Sequence, residues 1–483
     1  MSEQVHRLRS DIVTSLDAAA QSFGFVGPVF VMAFLTTFVA IGAGLATPLA
    51  ALLSGLASIA VGYVVAQFAI RHRAAGSIYT YIAQTFGPIQ GFMGGWIYMF
   101  AVLMLTMAII AGVAGWTSGF LADFAGINIH WLVILAVELI VLFLLTYFDV
   151  RYSTRLQLTI VAISVVIVLA LALTIIITGG AEGNTLAPFN PSSAGSLGGL
   201  AFGLIFGMLL YTGYESAAVL AEESQDAKRA IPLAVIGSAT LATVFYAIVT
   251  YAFAIGFGPS GVSAWAEDPA VLFTMGAMYW GEWAVPLMFA IAIIDAFAVS
   301  MATVNTVARV FYAMGRDGAL PRALGRTQPT YQTPHVANGV TLVLGLLFAL
   351  AFIPIGGLAG SWELEFGFLA GMGAIAVEVI YIYVAVAGII YFRQVMGSEY
   401  SVFKHLIVPI IAVIGPAAAL YGSVLPQGGI MNAMPYIVLA WVVLGIALIS
   451  YLRSSQPDMV AKLGADLGVE EMGELGAEAP AAG

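Results

Sequence analysis

Cysteine is absent from the 483-residue chain, which excludes a disulfide framework, a thiol nucleophile and any cysteine-based metal site. Charge is scarce. Only 9% of the residues are Asp, Glu, Lys or Arg, where a soluble domain carries about 25%. The five histidines, His6, His72, His130, His335 and His405, fall at the ends of apolar runs or in loops, which argues against a histidine metal centre or a buried histidine relay. No Gly-x-x-x-x-Gly-Lys loop points to a nucleotide-driven pump, and no nucleophile–base pair points to an enzyme. The first 20 residues are polar and of mixed charge, so no cleavable signal peptide is expected. The net charge of −10 speaks against nucleic acid as a partner. Half of it lies in the tail 454–483, where six acids stand against Lys462. This Ala/Gly/Glu stretch reads as a disordered acidic cytoplasmic tail.

What fills the chain is apolar sequence: 61% of the residues are hydrophobic. Runs of roughly 20 such residues are each long enough to cross a bilayer core of about 30 Å. Twelve spans are predicted, at 18–41, 46–70, 91–118, 130–148, 156–178, 197–221, 232–257, 279–308, 336–356, 366–392, 403–423 and 433–452. With these boundaries all 16 Lys and Arg residues fall on one side. By the positive-inside rule that side is the cytoplasm, with both termini inside. The opposite loops carry only acids: Asp123, Glu182, Glu267, Asp268, Glu282, Glu363 and Glu365. A multi-pass protein of the cell membrane is expected.

Two spans are interrupted. The first holds Ser22-Phe23-Gly24-Phe25-Val26-Gly27-Pro28, and the sixth holds Thr212-Gly213-Tyr214 followed by Glu215. Proline removes a donor and clashes with the preceding turn. The breaks occupy corresponding places in two five-span halves, and an odd number of spans per half gives the halves opposite starting sides. That is the sequence pointer to an inverted repeat with a binding site between the halves. The organisation read is a cytoplasmic N-terminus 1–17, a first repeat 18–178, a second repeat 197–392, two further spans within 403–452, and the tail.

Glu215 lies inside an apolar span, where a carboxylate costs roughly 2.5–3.5 kcal/mol to insert and is a functional hypothesis by default. Its competing reading is a helix cap. Glu138, Asp295 and Glu378 also lie within spans, and no Lys or Arg lies deep in any span. Such acids must be protonated, hydrated or neutralised by a transported cation, which points to an amine-bearing solute, H⁺ or Na⁺. Ser300 and Thr303 share one face of span 8. They are candidates to ligate Na⁺ with carbonyls of the span 1 break, or else they bond a carbonyl one turn back. Tyr214 is a candidate π-face for an ammonium. Gly24, Gly27 and Gly213 read as unwound-site glycines, with helix packing as the alternative.

Three stretches together resemble the amino acid–polyamine–organocation transporter superfamily. The first is Arg73-Ala74-Ala75-Gly76-Ser77-Ile78-Tyr79-Thr80-Tyr81 with Phe86-Gly87-Pro88, Gly91-Phe92 and Gly95-Trp96-Ile97-Tyr98. The second is Gly213-Tyr214-Glu215-Ser216 with Glu222-Glu223-Ser224 and Lys228-Arg229-Ala230-Ile231-Pro232. The third runs from Arg309 to Pro321. The resemblance implies a LeuT-type fold: an all-α integral membrane protein with a ten-helix inverted repeat plus two C-terminal helices. It implies a secondary transporter importing an amino acid by alternating access, coupled to H⁺ or Na⁺, with no other cofactor. Ser22, Gly24, Phe25, Gly27, Gly213, Tyr214 and Glu215 would bind substrate, and Glu215, Asp295, Ser300 and Thr303 are the ion-coupling candidates. Where many members carry a Gly-x-Gly-Ile-Phe-type stretch, this chain has Gly24-Phe25-Val26-Gly27-Pro28. That resembles the branch that includes ethanolamine-type permeases, and makes a carboxylate-free amine the alternative substrate. Many proton-coupled relatives carry a lysine in span 5, and this span 5 has none. A transporter-like amino-acid sensor is the alternative from another class. Glu222, Glu223, Lys228 and Arg229 are expected as a solvated cytoplasmic loop network.

Overall fold

A computed structural model of the chain describes residues 7–72, 74–423, 425 and 429–463. His6, Arg73 and the tail from residue 464 onward lie outside the described residues. The helices in chain order are α1 (Ser15–Val26), α2 (Pro28–Phe34), α3 (Thr36–Ala43), α4 (Thr47–Ala69), α5 (Ile78–Phe86), α6 (Pro88–Ala125), α7 (Trp131–Tyr147), α8 (Val150–Thr178) and α9 (Leu197–Leu209). They continue with α10 (Ala227–Phe257), α11 (Val262–Glu267), α12 (Val271–Trp280), α13 (Ala284–Arg316), α14 (His335–Val395), α15 (Val408–Ser423), α16 (Met434–Ser455) and α17 (Pro457–Val460). A 3-10 helix, Ser216–Glu223, follows α9. Among the described residues there is no strand, only an isolated bridge between Val13 and Ser224.

Nine helical segments among the described residues are long and apolar enough to cross a membrane, and Trp131–Tyr147, Leu197–Leu209 and Val271–Trp280 are shorter apolar helices. Apolar side chains point outward as well as inward. Val166, Leu173 and Ile177 of α8 are exposed, while Ser153, Thr154, Gln157 and Ser164 of the same helix are buried. A helix that shows water its hydroxyls and hides its leucines has the reverse pattern, so this surface is built for lipid tails.

The site rests on α1, which packs against α8, α10 and α13, while α6 packs against α13 and α14. The outer helix α16 docks on α6 through a reciprocal pair: each indole N–H of Trp96 and Trp441 donates to the other residue's carbonyl, at 2.9 and 3.1 Å, with the rings stacked at 4.3 Å.

Several boundaries differ from the sequence reading. The span expected to end at 308 runs on to Arg316, because Arg309 and Arg316 find carboxylate partners inside the fold. The stretch expected to be an external loop around Glu363 and Glu365 is helical. His335–Val395 is one helical run bent at Gly357, and Glu365 is fully buried. The first part of the expected tail is ordered. Ser454 and Ser455 extend α16, and Val460 and Leu463 are buried because both are apolar and reach the core.

Candidate functional site

Both sequence breaks are breaks in the backbone. At Gly27, φ is 57° and ψ is 61°, and the left-handed turn separates α1 from α2. A Cβ there would lie 2.4 Å from a methyl of Val299, so glycine is required twice over, by conformation and by contact. Gly213 has φ 102°, and a Cβ on it would meet the Phe25 ring at 2.2 Å. The two breaks therefore touch, Phe25 of one lying on Gly213 of the other. They are also hydrogen-bonded: the Ala217 N–H donates to Ser22 Oγ at 3.0 Å, and Ser216 Oγ donates to the Gln21 carbonyl at 3.2 Å. Gly24 is different. The helix runs through it to Val26, and a Cβ there would strike the buried side chain of Gln157 at 2.7 Å. It is a close-packing glycine, not part of the unwound backbone.

Glu215 sits at the start of the 3-10 helix, 1% exposed, and makes no capping bond to it. Its carboxyl turns instead to two tyrosines. Tyr381 Oη donates to Oε2 at 2.6 Å and Tyr98 Oη to Oε1 at 3.4 Å. Tyr381 also accepts the Gly213 N–H at 3.4 Å, and its ring lies 5.7 Å from that of the buried Tyr214. Tyr381 was not singled out from the sequence, and Tyr98 only as the end of the Gly95-Trp96-Ile97-Tyr98 stretch, neither as a site residue. The available signal was a hydroxyl-bearing aromatic in mid-span, which on its own does not tell which neighbour it meets.

The other acids are distributed around this centre. Asp295 of α13 reaches across to span 1, where its Oδ2 accepts the backbone N–H groups of Val29 and Phe30 at 3.0 and 2.9 Å. Ser300 Oγ donates to Glu138 Oε1 at 3.2 Å and Thr303 Oγ1 to the Ser300 carbonyl at 3.0 Å. The latter is the bond one turn back that competes with ion ligation. Glu378 is fully buried, one turn before Tyr381, and among the described residues neither of its carboxyl oxygens has a hydrogen-bond partner. Glu365 and Ser361, one turn apart, are likewise buried and unpartnered; sequence position had put Glu365 in solvent. Among the described residues no three His, Cys, Asp or Glu side chains converge on a metal position.

Beside the breaks lies a cavity of ≈ 90 Å³ lined by Phe25, Val26, Phe30, Leu105, Ile109 and Phe366 among others. On its aromatic side Phe34 and Phe366 pack on Trp116, with centroids at 4.5 and 5.0 Å. On the side where the basic residues gather, the chain is closed. The N–H groups of Ile12 and Val13 donate to the Glu223 carbonyl, each at 2.9 Å. Arg309 grips the Glu223 carboxylate at 2.6 and 3.1 Å, and Arg316 binds both oxygens of Glu222 at 3.1 Å. Two expectations are corrected here. Arg309 is a buried base, 1% exposed, and Glu223 is a buried acid, not a solvated one. Lys228 and Arg229 alone of that group stay exposed.

An all-helical membrane fold with two mutually bonded helix breaks and a buried carboxyl at their junction defines a membrane transporter. Residues 14–449 match the model of the amino acid permease family, and the chain belongs to that family. The methylthioribose transporter of Bacillus subtilis is 24% identical over 93% of this chain and 95% of its own length. The branched-chain amino acid permease BcaP of the same organism is 25% identical over 72% and 75%. The low-affinity putrescine importer PlaP of Escherichia coli is 26% identical over 64% and 67%. In fold, the chain matches the crystal structure of a manganese transporter from Eremococcus coleocola, a LeuT-type protein. The TM-score is 0.58 at 12% identity, covering 96% of this chain and 99% of that one.

Proposed function

We propose that the chain imports a small amine-bearing solute across the cell membrane, by alternating access about the junction of the two breaks. The observation that carries this is the placement of Glu215: buried, uncapped, and held by Tyr98 and Tyr381 where span 1 and span 6 meet. A carboxyl there meets a cation from the solute or from H⁺ or Na⁺, and its two hydroxyl donors keep it in place when that cation leaves. Of the two solute classes expected, an amino acid and an amine without a carboxylate, both offer the ammonium that Glu215 suits. Relatives named for branched-chain amino acids and for putrescine represent the two classes, while the relative named for methylthioribose is named for a sugar without an amine. In this reading the chain crosses the membrane twelve times, α14 counting as two crossings about Gly357, with both termini in the cytoplasm. Asp295 holds span 1 to span 8, and Asp295, Ser300 and Thr303 of span 8 are the ion-coupling candidates.

The test is counterflow in proteoliposomes with labelled amines and amino acids, with and without Na⁺ and a proton gradient. Glu215→Gln is expected to lower exchange at least tenfold at unchanged expression. Exchange and ion dependence equal to wild type would remove Glu215 from the mechanism. A protein that binds solute but exchanges no label would be a sensor.

A further inference from the structure

Resting on the transport reading above, the hydrogen-bond donors of the site narrow the solute further. A solute carboxylate buried between two helix breaks needs either free backbone N–H groups at a half-helix start or a basic side chain, because an unpaired buried anion is prohibitively costly. Neither is on offer. At the start of α2, Pro28 has no N–H, Val29 and Phe30 donate to Asp295, and Val31 donates to the Gly27 carbonyl. At the start of the 3-10 helix, Ser216 donates to the Gly213 carbonyl, Ala217 to Ser22 Oγ, and Ala218 to the Glu215 carbonyl. The first-turn donors of both half-helices are thus taken by the protein itself. The basic side chains nearest the core, Arg309 and Arg316, are engaged by Glu223 and Glu222; among the described residues no Lys or Arg lines the cavity beside the breaks, and the unpartnered hydroxyl of Thr212 offers a carboxylate there only a single neutral donor.

Asp295 is the unusual member of this set. Its side chain is 0% exposed. It comes from a different span, and its carboxyl lies against Gly27, 3.7 Å from where a Cβ would stand. Two N–H groups on one carboxylate oxygen is the arrangement by which a half-helix start would otherwise hold the carboxylate of an amino acid. We infer that Asp295 is a specificity-determining residue that fills the place of the solute's carboxylate, so that the solute carried is an amine with an apolar body and no carboxylate. The ammonium end faces acceptors, namely Glu215 and the carbonyl-bearing end of α1. The apolar body faces Phe25, Val26, Leu105, Ile109 and Phe366. A carboxylate brought to this site would meet the acceptor oxygens of Asp295 and Glu215 where it needs donors.

The experiment compares amino acids with their own decarboxylation products on the purified full chain in proteoliposomes. The probes are leucine against 3-methylbutylamine, serine against ethanolamine and ornithine against putrescine, each competing for exchange of the best labelled member. The wild-type protein is expected to favour the amine of at least one pair tenfold or more, and never the acid. Asp295→Gly, which uncovers the Val29 and Phe30 N–H groups, is expected to raise the affinity for that pair's amino acid at least tenfold relative to its amine. The wild-type comparison stands on its own should the variant fail to fold. A preference for the amino acid in the wild-type protein overturns the role of Asp295 while leaving transport through Glu215 intact. Absence of binding and exchange for every probe defeats the transport reading, and this inference with it. A folded Asp295→Gly protein with unchanged pair preferences removes Asp295 as the determinant.

Discussion

Single residues in this protein carry constraints that their chemistry alone does not reveal. Gly213 needs a backbone conformation that side chains rarely adopt, and it also carries the Phe25 ring on the face where a Cβ would be. Gly213→Ala is expected to cost about 1–3 kcal/mol from the backbone alone, and more from displacing Phe25. Its melting temperature in detergent should fall and solute exchange should be lost, whereas Gly237→Ala, at a helical position with open space around it, should leave exchange unchanged and the melting temperature equal or slightly raised. Tyr381→Phe removes the shorter of the two bonds to Glu215 and leaves a buried carboxyl oxygen without that donor, a loss of about 1–3 kcal/mol. Exchange measured against Tyr98→Phe should be the more impaired, in keeping with 2.6 against 3.4 Å. Gly27, Gly213 and Glu215 were legible because each is locally anomalous: a glycine beside proline, a glycine and an acid in an apolar run. Tyr98 and Tyr381 were not, since their meaning lies in a contact spanning 117 and 166 residues of sequence.

At the scale of elements, the closed side is a set of helix ends tied by charge. The Arg309–Glu223 pair is buried on both partners, so Arg309→Met strands a carboxylate and is expected to destabilise by about 3–5 kcal/mol. Adding Glu223→Gln should restore most of the melting temperature, and a double variant no better than the single one would show that the pair is not the cause. A softer tie lies at the start of α8. Burial pushes the Asp149 carboxyl up, but the hydrogen bonds and charge of Arg151, with Arg9 at 3.7 Å, outweigh it and hold the group below its ordinary value. A depressed acid contributes stability above its unfolded pKa of about 3.9 and loses it as pH falls through the folded value. Melting temperature should therefore drop below about pH 4, less steeply in Asp149→Asn and less steeply at high salt. Helix existence and order were readable from the length of the apolar runs and from charge placement. The extension of α13 to Arg316 and the burial of Glu365 were not, because a charged residue marks a span end only when its partner is water.

For the whole molecule, a chain without cysteine invites single-cysteine labelling as a test of topology. In intact cells, an impermeant thiol reagent should label Ser192→Cys, in an exposed stretch between α8 and α9, and should spare Glu399→Cys until the membrane is opened. The reverse pattern would invert the orientation read from the arginines. The order in which the chain is made bears on its two best-held acids in opposite ways. Asp295 emerges 265 residues after Phe30, so its partners are already waiting in the membrane. Glu215 emerges 166 residues before Tyr381. At 5–20 residues per second this leaves the carboxyl without its closest donor for on the order of ten to thirty seconds. During that interval the half-made protein needs shelter at the translocon or from an insertion chaperone, and a ribosome paused between the sixth and tenth spans would lengthen it.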